Sequence, residues 1–250
     1  MTQKQKIQTT MRMEKYELLE NDTININGHI LYRIKAIVDI YETPEDPMDF
    51  DDFRKSVPEQ GLFYIRKLYE KYKAKLNRKK LVVKSGTLGG YVESEFNLSD
   101  FDGAWIGGNA TVFEDAEVED NALVYGNAKV HGNAKISCNS KVFGDAEIRG
   151  NATISDHAKV YRHATIRGKA SISGHAQIYG HALITHNAEV YGQACVYGHA
   201  MILNSARVYE NAVVRGIGKV YDGNVRYHDI VDDFEVYGDC VQRIPIPLDL

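Results

Sequence analysis

Five of the nine histidines in this 250-residue chain fall into two columns spaced by eighteen residues. His163, His181 and His199 form one column, and His157 and His175 form the other. Imidazole titrates near neutrality and ligates metals readily, so a stack of rings could supply a general base or share an ion. The plainer reading is turn filling, because Asn127 and Asp145 occupy the same column one step earlier each. A third column, Tyr125, Phe143, Tyr161, Tyr179 and Tyr197, is aromatic at five successive steps. It reads either as a ladder of stabilising ring pairs or as a flat face for subunits or a ring-bearing ligand. Leu183, Met201 and Leu203 fall at positions expected to point outward, as do Cys195 and Val213, and apolar patches of that kind often mark contact surfaces.

These columns presuppose a scaffold of matching period. From Ala104 to Val220 the chain repeats a six-residue unit without insertion or deletion. Valine or isoleucine recurs at every sixth position from Ile106 to Val220, and alanine holds the register four residues later except at Ser140 and Gly218. A unit such as Val124-Tyr125-Gly126-Asn127-Ala128-Lys129 alternates in and out over its strand part and then turns at Gly-Asn. A fixed short period of this kind specifies a solenoid. Its interior is filled by aliphatic and methyl groups, so ligands and partners must meet its faces, corners or ends.

The unit resembles the hexapeptide-repeat superfamily, in which an aliphatic residue is followed four positions later by a small one. That resemblance implies an all-β solenoid: a single-stranded, left-handed parallel β-helix with three hexads per coil, about 6.5 coils here, assembled as a homotrimer. The segments at 28–36 and 86–99 also look like YdcK-like bacterial and prophage proteins, which bring no activity with them. Two enzymatic branches of the superfamily supply comparisons. Hexapeptide carbonic anhydrases use two histidines five apart and a third about two coils earlier; His181 and His186 have the first spacing, but Asp145 stands where the third imidazole should be. Hexapeptide acyltransferases use a histidine general base beside a cleft between subunits, which would fall to His163, His181 or His199. They usually frame that cleft with a loop extruded from the prism, and the repeat here has none.

The flanks divide the chain into residues 1–103, an α+β cap; 104–221, the β-helix; and 222–250, an acidic cap. Residues 22–40 read as two strands around Asn27-Gly28, a hairpin signal. Residues 41–52 are acidic and broken by proline. Leu62, Ile65, Tyr69, Tyr72 and Leu76 then mark an amphipathic helix near 58–80, opened by Ser56 and Glu59 as a capping box. Lys67, Lys71, Lys75 and Arg78 lie on its basic side, which reads as a solvated face or a dock for an acidic partner, anionic lipid or nucleic acid. Gly86, Gly89 and Gly90 lack the spacing of a phosphate loop.

Net charge is −4, which argues against a general nucleic-acid binder. It is uneven: residues 221–250 hold two basic and seven acidic side chains. Three cysteines without a C-x-x-C pair suit a reducing compartment, and no apolar run approaches a membrane span. The expectation is a cytoplasmic protein, including the cytoplasm of a phage-infected host. It would be a non-enzymatic, homo-oligomeric interaction scaffold with no metal or other cofactor, whose N-terminal cap offers a surface to a protein partner. The alternative is an acyl-CoA-dependent acyltransferase with a corner histidine as base.

Overall fold

The computed structural model describes residues 15–42, 66, 69, 80–100, 103–226, 229–232, 234–237 and 240–243. The six-residue period becomes two-residue strands separated by corners, so three hexads close one triangular coil of an all-β parallel solenoid. Three sheets form its faces. One face stacks eight parallel strands from Trp105–Ile106 to Ile230–Val231, and carries the aromatic column beside it. A second stacks seven, from Glu117–Val118 to Asn224–Val225, and bears Ser137, Ser155, Ser173, Tyr191 and Tyr209. The third has twelve strands, because antiparallel strands extend it at both ends. Every member of the Val/Ile register is at most 1% exposed, and each alanine of the second register is fully buried. The alternation read from the sequence therefore fixes the core.

Parallel stacking runs past the sequence repeat at both ends. Leu88–Val92 lies in parallel register with Thr111–Val112, and Ile230–Val231 with Val213–Val214. The stack thus exceeds the 6.5 coils counted from the motif, since the added strands keep the pairing but not the spacing. The two exceptions in the alanine register have local causes. Ser140 is fully buried and its hydroxyl donates to the Ser137 carbonyl at 2.6 Å, which satisfies it inside an alanine-sized slot. At Gly218 a Cβ would stand 2.4 Å from the Asp232 carbonyl oxygen, so the chain folding over the last coil leaves room only for glycine.

Corners place one residue per turn in the left-handed region. Gly144 (φ 73°) shows why glycine is common there: a Cβ would lie 2.9 Å from the Arg162 nitrogen one coil on. Where an acid occupies the slot, its carboxylate accepts the next coil's corner N–H instead, as Asp156 does from Gly174 at 2.8 Å and Asp120 from Cys138 at 2.8 Å.

Each ladder N–H bonds to a carbonyl one coil further toward the C-terminus, as Trp105 does to Ala122 and Thr111 to Ala128. The first coil therefore presents carbonyls without a ladder donor, and the N-terminal segment supplies donors. A hairpin of β1 (Tyr16–Ile26) and β2 (His29–Ala36) turns at Asn27 and Gly28, both with positive φ, as the sequence predicts. Behind it, Tyr91 N–H and Glu93 N–H bond to the carbonyls of Ala110 and Val112. Lys15 Nζ donates to Ala104 O at 3.0 Å, and Asn97 Nδ2 donates to both Glu114 O and Ala116 O at 2.9 Å. Within the segment read as a basic helix, Arg66 and Tyr69 are helical, and Lys67, Lys71, Lys75 and Arg78 lie outside the described residues. Among the described residues no helix is long and apolar enough to cross a membrane.

Candidate functional site

The aromatic column borders the eight-stranded face because each ring follows the buried aliphatic of its strand. In-register pairing of Phe143 with Tyr161 brings the rings into one stack. Successive centroids from Tyr125 to Tyr197 are 4.8 to 4.9 Å apart, with planes within 12° of parallel. Burial among these rings pushes the phenols of Tyr125, Tyr161 and Tyr179 above their ordinary value, so they remain neutral donors. The stack has defined ends. Below Tyr125 the column position is Gly107, which has no side chain, and Tyr125 is 38% exposed. Beyond Tyr197 it is Arg215, whose Nε lies 3.0 Å from Asp232 Oδ2; bonds to Tyr197 and Asp232 hold that guanidinium more firmly protonated.

Alongside the rings a second row points outward from the same strands. Leu123 and Cys195 are half-buried, as is Val213, and Ile230 is 59% exposed. Burial raises the Cys195 thiol above its ordinary value, which makes it a small apolar group rather than a nucleophile. Leu183, Met201 and Leu203 stand half-buried on the twelve-stranded face, around the corner from the rings. The two apolar groups identified by sequence are thus separate surfaces.

The histidine columns occupy two corners. His163, His181 and His199 stack at 4.9 and 5.0 Å on the corner between the aromatic and twelve-stranded faces, and all three are exposed. Asp145 Oδ2 lies 3.8 Å from His163 Nδ1, and Asn127 Nδ2 donates to Asp145 Oδ1 at 3.0 Å. His186 falls at the next corner in a left-handed conformation (φ 62°), so the five-residue spacing sets His181 and His186 on opposite sides of strand Leu183–Ile184. Among the described residues no group of three or more His, Cys, Asp or Glu side chains is placed to hold a metal ion. His157 and His175 stack at 4.8 Å on another corner. With Glu42, Asn121, Asn139, Lys141 and Lys159 they line an open polar groove of about 340 Å³.

One constellation escaped the sequence reading. His29 Nδ1 meets Glu93 Oε1 at 2.9 Å, and its Nε2 lies 3.6 Å from Glu114 Oε1. Glu114 Oε2 is 3.6 Å from His131 Nδ1, and His131 Nε2 is 3.4 Å from Glu147 Oε1. Phe113 stacks on His131 at 4.9 Å and tilts against His29 at 5.5 Å. This alternating chain ties the hairpin to the first three coils. The bond to Glu93 raises the His29 pKa, and the same bond lowers that of Glu93. Only the eighteen-residue step from Phe113 to His131 was visible in sequence; His29 arrives through tertiary folding.

Residues 176–192 match the family model described as "YdcK Beta solenoid repeat". The matched stretch covers about one coil and includes Tyr179, His181, His186 and Tyr191. Over it the chain is similar to YdcK-type β-solenoids, in agreement with the parallel stack. No curated protein matches the chain.

Proposed function

We propose that this chain is a non-enzymatic interaction scaffold that works by association through its flat faces, first of all with further copies of itself. One observation carries the reading: a stack of five rings lies beside a row that turns apolar at Cys195, Val213 and Ile230, on a face whose six inner strands are paired on both sides. Ring stacking at 4.8 Å already satisfies the stability role, yet it gives no reason for an isoleucine at 59% exposure on the last strand of that face. The solenoid on this reading winds left-handed and belongs with the hexapeptide-repeat proteins, whose resemblance implies threefold assembly. It acts in the cytoplasm, with the bacterial or phage-encoded origin that the resemblance of segments 28–36 and 86–99 implies. The N-terminal cap is the surface available to a different protein. Sedimentation at micromolar concentration tests the reading; a single-chain mass throughout would refute self-association.

The acyltransferase reading has one specific observation in its favour, the Asp145 carboxylate beside His163 Nδ1, an arrangement that can orient an imidazole base. At 3.8 Å and with His163 56% exposed, that pair gives little orientation, and an acceptor pocket would have to come from a second chain. Thiol release from acyl-CoA with several acceptors, abolished by His163→Ala, would establish it over the scaffold.

A further inference from the structure

We infer that two copies of this chain pair through the aromatic face in antiparallel orientation, about a two-fold axis lying in the face along the strand direction. This rests on the scaffold reading, identifies its partner as a second copy, and sets a pair in place of the threefold assembly that the hexapeptide-repeat resemblance implies. The argument comes from the order of side chains along the eight strands. In the outward row the apolar residues sit toward the two ends, Trp105 (7% exposed) and Leu123 on the first two strands and Cys195, Val213 and Ile230 on the last three, with Lys141, Lys159 and Gln177 between. In the ring row the open end is Tyr125, above Gly107, and the cationic end is Arg215.

An in-plane axis along the strands sets the second strand of one copy against the seventh of the other, and the third against the sixth. Leu123 then meets Val213, and the edge of the Tyr125 ring meets Arg215, whose guanidinium donates toward the phenol oxygen. Phe143 faces Tyr197 and Tyr161 faces Tyr179, so aromatic edges meet at the centre. Lys141 faces Cys195 and Lys159 faces Gln177; the two Lys159 groups flank the axis one strand apart, and no lysine lies directly opposite another. The other two-fold choice, an axis along the solenoid, fails this comparison. It sets Lys141 against Phe143 and Lys159 against Tyr161, but also Val213 against Arg215 and Ile230 against Asp232. The apolar–ionic mismatches at Val213 and Ile230 disfavour it.

The size of the face sets the strength. Eight strands ~4.8 Å apart give a length of ~34 Å, and a strand with its flanking corner residues gives a width of ~15 Å. About 500 Å² per copy, or about 1,000 Å² in total, lies at the lower limit of specific interfaces. Association in the micromolar range follows, weak enough to be reversible.

Sedimentation of the full chain from about 1 to 100 μM should show the mass rise from one chain to two. Leu123→Lys and Val213→Glu should each weaken self-association at least tenfold. Mixing the two variants should restore a heterodimer, because position 123 of one copy faces position 213 of the other only in the antiparallel arrangement. Leu123 also packs partly against the core, so Gln177→Lys provides a second test on a polar row. It opposes Lys159 of the second copy and should weaken the pair while leaving the melting temperature unchanged. A trimer insensitive to Val213→Glu would overturn the face pairing and leave self-association standing. A monomer at every concentration would overturn both, and a dimer that the two single variants leave intact would overturn the assignment of the face.

Discussion

Replacing Asn97 by alanine isolates the mechanism that closes the N-terminal end of the stack. Its side chain is 1% exposed, and its amide nitrogen donates to Glu114 O and Ala116 O, both at 2.9 Å. Its oxygen accepts the Ser94 N–H at 2.9 Å. In Asn97→Ala two carbonyls lose their donors. A buried acceptor left unsatisfied costs about 1–3 kcal/mol; Glu114 O is only part-buried, and water reaching it reduces its share, so the total is about 2–4 kcal/mol. A solenoid is held coil to coil, so this cost falls on the end rather than on the whole. Amide exchange read by mass spectrometry should therefore show about 30- to 1,000-fold faster opening at Tyr91, Glu93 and Ser99, whose N–H groups bond to the first coil. Exchange beyond Val160 should be unchanged. Asn97→Asp should be worse than alanine, because it aims a carboxylate at two carbonyl oxygens. Acceleration below about threefold, or an aspartate variant no worse than alanine, would refute the view that orphan carbonyls govern this end.

The His29–Glu93 pair predicts a pH optimum for docking of the hairpin. The raised His29 contributes fully below 6.5 and loses its contribution as pH rises through its folded value; the lowered Glu93 contributes above 4.5 and loses it as pH falls. Exchange protection of β2 should thus peak between those values and decline on either side, and His29→Gln should remove the decline above neutrality. Gly218→Ala forces a Cβ to within 2.4 Å of Asp232 O and should lower stability at the C-terminal end by about 1–3 kcal/mol in chemical denaturation. Ser140→Ala restores the repeat and removes only a self-satisfied hydroxyl, so its effect should stay within about 1 kcal/mol. Tyr161→Ala removes two ring pairs at 4.8 and 4.9 Å and should cost about 1–3 kcal/mol, with a coupling to Tyr179 measurable in a double-mutant cycle.

The core was legible because burial repeats with the sequence. Val124 and Ala128 each occupy a position whose environment is the same on every coil, so a local motif determines a global packing. The columns were legible for the same reason once the chain was read by coils: Tyr161 over Phe143, and His181 over His163, follow from translation by eighteen. What translation does not generate was not legible. Lys15 and Asn97 act on the first coil from outside the repeat, and nothing in their neighbours' spacing announces it. His29 pairs with Glu93 and Glu114 because the hairpin folds back over the first coil. The extra parallel strands at Leu88–Val92 and Ile230–Val231 lack the hexad register and enter the stack through backbone pairing alone. The five-residue separation of His181 and His186, suggestive as a ligand spacing, is divided by a corner on either side of a strand.

The polarity of the ladder also explains a charge asymmetry that composition alone left open. Since every ladder N–H points toward the carbonyl of the following coil, the two ends of the stack are chemically opposite. The N-terminal end presents carbonyls, partial negative charges that call for donors and cations, and receives the buried Lys15 ammonium and the Asn97 amide. The C-terminal end presents N–H groups, which call for acceptors and anions. There Asp222 accepts the Ser205 N–H at 3.2 Å, Asp229 accepts the Arg226 N–H at 3.0 Å, and Val213 N–H and Arg215 N–H bond to the carbonyls of Asp229 and Val231. The acidic C-terminal cap is therefore a supply of acceptors for the amide end. The same requirement makes the two caps non-interchangeable: Lys15 moved to the last coil would face amides, and Asp229 moved to the first would face carbonyls. Head-to-tail growth, which would join an amide end to a carbonyl end, is opposed at both termini by groups already bonded to those atoms. Lateral association through a face leaves both caps in place, which favours the proposed pairing of aromatic faces over growth at an end.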